Sequence, residues 1–484
     1  MCTSVMVGKK ATSDGTLLLS RNEDYTRNNW NKYMVYRPFP EYYDPNNSNT
    51  VVANGMWTLG NGLKVPVPTK MYSYNAMPDA VGEEEALYSV GKDFFFEERG
   101  INSQNVAVSA TNSLSINQKA NSADPLLSSG GIAECIITTL LLPQVDSAIE
   151  AVELLGKYVE EYGASEVNGI LIGDPTESWY FEIGSGHHWI AVRIPDESYL
   201  VVANGMRVHS VDLDDTSNVL CSKNLFEFVC ENNLLQVPNR QVFNFAEAFG
   251  IPGVPYNVDR IWLAQKILTP SLEQKPRQHQ YPLFLKPDHP VYVKDVMNVL
   301  RATYKGTVLE GIATRPIGVD RTAESHIMVL DAKMPKELQG LIWQVVSTPM
   351  GAPYIPFYSV MDDIPSSYSM KANVYSPISA YWSFRGLYSL SRTNNDEYKF
   401  LVEKLWRDFE DQSLLESRLL NETLQEAYVT NAAIALNIAK RYSTGLAYQT
   451  VGIANKERNL LMTQITDDLN ESSIIAENAY RDAT

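Results

Sequence analysis

Short β-like runs, separated by turn residues, occupy much of the chain up to about residue 204, and a helical period takes over after residue 392. Residues 2–8 (CTSVMVG) and 16–22 (TLLLSRN) are rich in β-branched and aliphatic side chains. Between them lies KKATSDG, in which Ser13-Asp14-Gly15 is a strong turn signal, because Gly15 can take the positive φ of a tight turn. The pattern predicts a β-hairpin. Further strands are predicted at 51–59 and 105–111, and in a meander of 169–174, 178–183, 187–194 and 198–204. The short Asp, Pro, Gly and Ser connections of the meander predict antiparallel pairing.

The segment DSAIEAVELLGKYVEEYG predicts a helix. Ser147 with Glu150 fits a capping box, Ala148, Val152, Leu155, Val159 and Tyr162 share one face, and Gly163 stands where a C-terminal cap belongs. Residues 131–142 predict a second helix, apolar on most sides. After Arg392, Tyr398, Leu401, Val402, Leu405 and Phe409 recur at helical spacing, and the pattern continues to about residue 440. No internal repeat or low-complexity tract is present. Helices beside antiparallel sheets predict an α+β layered architecture.

Composition narrows the function. The chain has 484 residues, 44% hydrophobic and 20% charged, as a packed globular protein has. Its 40 Lys and Arg against 57 Asp and Glu leave a formal charge of −17, which disfavours nucleic acid and anionic lipid as partners. No run approaches the length of a membrane span, and the first residues lack the apolar core of a signal peptide, so a cytoplasmic location is expected. Four cysteines, at positions 2, 135, 221 and 230, do not make a disulfide framework, and Cys135, Cys221 and Cys230 read as small buried hydrophobes. The six histidines show no HExxH spacing, and His187-His188 would point to opposite faces of a strand, so a metallopeptidase is disfavoured. The acidic VDLDD loop at 211–215 reads as solvated surface. Trp189, Tyr354 and Trp382 read as core more readily than as a substrate pocket.

Cys2 stands apart. Paired residues of a hairpin share a nearly constant sum of residue numbers. A turn centred between positions 12 and 13.5 puts Cys2 opposite residues 22–25, inside the RNED stretch. Arg21 and Asp24 are thereby delivered beside it. Methionine before a small residue is normally removed, which leaves Cys2 first in the mature chain with both a thiol and a free α-amine. That amine, with a reference pKa of about 7.7–8.0, can act as a base near neutrality. A carboxylate can orient it, and a guanidinium can stabilise the thiolate. The ordinary alternative is a strand cysteine beside a surface ion pair.

The start C-T-S followed by R-N-x-D after a hairpin resembles the cysteine-type N-terminal-nucleophile hydrolases, which include bile-salt hydrolases, penicillin V acylases and bacterial cysteine dipeptidases. The dipeptidase A-like branch is most similar. The likeness extends through GINSQNVAVSATNS, VNGILIGDPTESWYFEI, VVANGMRV, GIPGVPYNVDRIWLAQ, IWQVVSTPMGAPYIPFY and AYWSFRG. It implies a four-layer αββα sandwich of antiparallel sheets with a helical C-terminal extension, divided as residues 1–392 and 393–484. It implies Cys2 as nucleophile, Arg21 and Asp24 as its charged partners, the Asn204 side chain and the Asn112 backbone N–H as oxyanion donors, and Arg260 as a second nearby arginine. It also implies hydrolysis of dipeptides through a Cys2 thioester, no metal or cofactor, and a homo-oligomer. Hydrolysis of bile-salt or penicillin V-type amides is the alternative. One departure stands out: Asn105 occupies a place where the family often has glycine, and Asn is among the few residues that tolerate left-handed backbone.

Overall fold

The computed structural model describes residues 2–25, 32–38, 51–59, 61–78, 96–372 and 374–483. The N-terminal hairpin forms because two runs of apolar residues meet across a turn. Its strands are Thr3–Val7 and Leu17–Asp24, Gly15 sits at φ +80°, and Asp14 Oδ1 accepts from the Thr16 N–H and hydroxyl. The hairpin lies in the middle of a seven-stranded sheet. The spatial order is Phe284–Leu285, Tyr199–Val202, Thr3–Val7, Leu17–Asp24, Thr322–Leu330, Gly340–Val345 and Ile355–Tyr358.

A second, eight-stranded sheet runs in the order Val219–Cys221, Trp189–Arg193, Ser178–Ile183, Asn168–Gly173, Ala107–Ser113, Glu97–Asn102, Tyr74–Pro78 and Val35–Arg37. Neighbouring strands in both sheets pair antiparallel, as the short connections predict. The expected strand at 51–59 is instead a small hairpin, Val51–Ala53 with Met56–Thr58. Asn54 and Gly55 both adopt positive φ, so Asn-Gly makes the tight turn that fits strand twist.

Period-two alternation divides the burial. Met6, Leu17, Leu19, Val202, Met328 and Ile342 of the first sheet share a core with Leu171, Tyr180, Ile190 and Val192 of the second. Val5, Leu18, Val201, Ile327 and Trp343 turn the other way, toward Val258, Trp262, Val296, Leu387 and Trp406 of four helices. Those helices are Pro255–Leu268, Val293–Leu300, Ala380–Ser391 and Tyr398–Thr430. The far face of the second sheet buries Ile170, Ile172, Phe181 and Ala191 against Glu134–Leu141 and Ala148–Tyr162. The latter helix begins at the predicted cap, Ser147 Oγ accepting from Glu150 N–H at 3.3 Å, although the Glu150 carboxylate reaches Asp146 N–H and not Ser147. After Arg392 the helical pattern is realised as Tyr398–Thr430 and Ala432–Ala483, so it runs well past residue 440. Among the described residues no helix is long and apolar enough to cross a membrane.

Glycine at 156 lets the helix Ala148–Tyr162 close on the sheet. A Cβ there would lie 2.2 Å from Trp189 Cζ2, whose indole stacks on Phe181 at 4.8 Å. Trp189 is therefore core, as is Tyr354. Gly156→Ala is expected to destabilise the fold by about 1–3 kcal/mol through overpacking, despite alanine's better helix propensity. A lowered urea midpoint at unchanged slope would show it.

Candidate active site

The hairpin ladder pairs Thr3 with Asn22 and Ser4 with Arg21, a constant sum inside the predicted window. One step further along, Cys2 falls opposite Glu23. Residues opposed in an antiparallel pair share a face, and neighbours along a strand alternate. Cys2, Ser4, Arg21 and Glu23 therefore face the second sheet. Thr3, Asn22 and Asp24 face the helices on the other side.

The contacts follow that division. Ser4 Oγ donates to Asn112 Oδ1 across the sheets at 3.1 Å. Arg21 reaches the Ala110 carbonyl at 2.9 Å and pairs with Glu98 Oε2 at 2.5 Å, with Glu134 at 3.8 Å. On the opposite face, Asn22 Nδ2 donates to Leu300 O at 2.8 Å. There the two oxygens of Asp24 accept from Arg315 and Thr322, each at 2.5 Å.

Arg21 is the charge beside the thiol. Burial works against its cation, yet Cys2, Glu98, Glu134 and Glu23 around it outweigh that cost and hold its pKa well above the usual value. Its Nε–H is buried with no hydrogen-bond partner among the described residues. Asn112 Nδ2 is another such donor. An unused buried donor costs free energy, and such groups belong where a ligand supplies the missing acceptor. The strand carrying Asn112 is also bulged. Its register with Asn168–Gly173 shifts between Gly169 opposite Asn112 and Ile170 opposite Ala110, so Thr111 is looped out. A bulge of this kind re-aims the following side chain. At the other end of the hairpin formed by this strand, Asn105 takes φ +66°, the left-handed conformation expected of a glycine substitute.

Arg260 belongs to the interior, not to a helix surface. All five of its guanidinium hydrogens are used: Nε–H to Tyr256 O, Nη1 to Cys2 O at 2.7 Å and Thr3 Oγ1 at 2.9 Å, and Nη2 to Asn204 Oδ1 at 2.8 Å and Asn257 Oδ1 at 3.1 Å. It is a strut that ties the Cys2 carbonyl to the Asn204 amide. Burial, with Arg315 nearby, lowers its pKa to about 10, which still leaves it cationic at neutrality. Asn204 stands just past the strand Tyr199–Val202, and one hydrogen of its Nδ2 goes to Ser113 O at 3.0 Å. Among the described residues no acceptor bonds its second hydrogen.

The six residues singled out in the sequence thus meet around one end of the N-terminal hairpin. Cys2 is only 2% exposed, and Asn204 is 8% exposed. Met1 lies outside the described residues. Residues 1–408 match the family described as peptidase family C69. The chain belongs to that family. Three curated relatives are similar over most of their length. A protein of Latilactobacillus sakei named "Probable dipeptidase" is 33% identical over 413 residues, 82% of each chain. A "Dipeptidase" of Bifidobacterium longum is 29% identical over 423 residues, 79% of this chain and 76% of that one. A "Dipeptidase A" of Lactobacillus helveticus is 28% identical over 442 residues, 88% of each.

Sequence reasoning missed Glu23, Glu98 and Arg315 in this C69 chain. Arg315 lies in the loop ATRPIG, which has no period to read, and it meets Asp24 only through the tertiary fold. Among the described residues no three of His, Cys, Asp and Glu stand together as metal ligands would. The Arg315–Asp24 pair yields a prediction. Arg315→Met leaves Asp24 buried without its counter-charge and is expected to cost about 3–5 kcal/mol. Adding Asp24→Leu should recover much of that loss. Thermal unfolding of the two variants measures the coupling.

Proposed function

We propose that this C69 protein hydrolyses dipeptides with Cys2, first residue of the processed chain, as nucleophile. The observation that carries the reading is that the hairpin register sets Cys2 beside the buried Arg21, whose Nε–H has no hydrogen-bond partner among the described residues. The family match and the dipeptidase names of the relatives support it.

In this reading removal of Met1 frees the α-amine. The amine takes the thiol proton, and the Cys2 sulfur adds to the carbonyl carbon of the peptide bond. The oxyanion that forms accepts from the Asn204 amide, held by Ser113 O and Arg260, and from the Asn112 N–H. As the tetrahedral intermediate collapses, the amine returns its proton to the leaving nitrogen. The second amino acid departs, and the first remains as a thioester on Cys2. Water, deprotonated by the same amine, then attacks the thioester and regenerates the thiol. Arg21 stabilises the thiolate before attack. Arg260 positions the Cys2 carbonyl and Asn204. Asp24, held by Arg315 and Thr322 on the Thr3 face, is assigned to orienting the α-amine. The chemistry asks for no metal.

The same reading extends to architecture. Helices flanking two face-to-face antiparallel sheets support the four-layer αββα sandwich of N-terminal-nucleophile hydrolases. Residues 1–392 would form the catalytic unit, and 393–484 a helical extension lying against it. A homo-oligomer is drawn from the resemblance, and a cytoplasmic location from the apolar pattern of the sequence.

Two variants test the mechanism. Cys2→Ala is expected to lose dipeptide turnover by at least about a thousandfold, and full turnover in that variant would contradict it. Asn204→Ala should cost roughly 100–1000-fold in kcat. Dipeptides should be cleaved in preference to penicillin V and conjugated bile salts by the wild-type enzyme.

A further inference from the structure

Three carboxylates, Glu23, Glu98 and Glu134, act on the Arg21 cation beside Cys2. Two are committed. Glu98 is bonded to Arg21 at 2.5 Å, and Glu134 lies 3.8 Å from it. The buried Glu324 nearby is held by His326 and Gln344. Glu23 differs. It is 3% exposed, and Oε2 forms an ion pair with Lys32 Nζ at 2.6 Å. Oε1 has no partner among the described residues. A buried carboxylate oxygen with no donor is costly unless something arrives to satisfy it.

The hairpin register says where Glu23 points. It is one step beyond the Thr3–Asn22 pair, directly across from Cys2 and on the same face. Opposed Cβ atoms of an antiparallel pair lie about 4.5–5.5 Å apart. A substrate whose carbonyl carbon sits at the Cys2 sulfur carries its α-nitrogen only two bonds away. That nitrogen falls within reach of the Glu23 carboxylate. Asp24 is not placed for this contact, since it lies on the helix-facing side of the hairpin, opposite to Glu23.

We propose that Glu23 receives the free α-ammonium group of the substrate and so restricts the enzyme to peptides with an unblocked first residue. This rests on the dipeptidase reading above and deepens it. The ammonium takes Oε1, while Lys32 remains on Oε2. The substrate therefore meets a carboxylate that is already buried and oriented, and no bond to Arg21 has to break.

The test compares L-alanyl-L-leucine with its N-acetylated counterpart on the full-length enzyme, as wild type, Glu23→Gln and Glu23→Asp. Wild type should favour the free amine strongly. Glu23→Gln should lower the ratio of kcat/KM values, free over acetylated, by at least about tenfold, chiefly through KM. Glu23→Asp should fall between them, and it carries the comparison if the Gln variant does not fold. An unchanged ratio in both variants would overturn the assignment while leaving the dipeptidase reading intact. So would an equal loss on both substrates, which would place Glu23 on the enzyme's own amine. A wild type that cleaves neither substrate, in a preparation shown to be folded, would overturn the dipeptidase reading itself and this assignment with it.

Discussion

A slip of one residue in the N-terminal hairpin would carry Cys2, Ser4, Arg21 and Glu23 to the wrong face of the sheet. The register is what keeps them facing the second sheet, and it is held from several sides. Leu17 and Leu19 fill the core between the sheets while Val5, Val7 and Leu18 fill the core under the helices, so each strand is specified on both faces. Tyr199–Val202 and Thr322–Leu330 then clamp the hairpin from either edge. A chain terminus would ordinarily fray. Here the first strand, Thr3–Val7, lies at the centre of a seven-stranded sheet, and the proposed nucleophile next to it can have a defined position.

The second constraint is charge. Several ionic side chains lie between the sheets with almost no solvent, and each must find partners there. Arg21 spans to Ala110 and Glu98, Arg99 holds Gln344 at 2.7 Å, and His326 lies between Glu324 at 2.9 Å and Ser109 at 3.0 Å. All cross from one sheet to the other or brace a residue that does. Such a seam adds little net stability, because desolvation offsets most of the attraction, but it penalises any sliding of one sheet over the other. Asn112 and Asn204, the proposed oxyanion donors, come from different sheets, so their separation depends on that lateral registry.

Local signals were readable in the sequence, and long-range ones were not. The hairpin, the helix from Ala148 and the left-handed Asn105 follow from turn chemistry and periodicity within a few residues. The hairpin arithmetic also placed Arg21 beside Cys2 without any tertiary information. It overlooked face alternation, by which Glu23 and not Asp24 shares the thiol's side. Asn54-Gly55 is a turn signal of the same kind as Ser13-Asp14-Gly15, but the strand formers on both sides of it mask the turn in the pattern. Arg315, Glu98 and the full set of Arg260 contacts join residues up to 291 positions apart, and no pattern in one sequence marks such pairs.

The proposed mechanism requires Cys2 to be the first residue of the working enzyme, at once sulfur nucleophile and amine base. Mass spectrometry of the enzyme quenched in acid during dipeptide turnover examines this directly. The expected N-terminal peptide begins at Cys2 and carries, in part, the added mass of an aminoacyl thioester. A fully active preparation whose N-terminal peptide still begins with Met1 would contradict it.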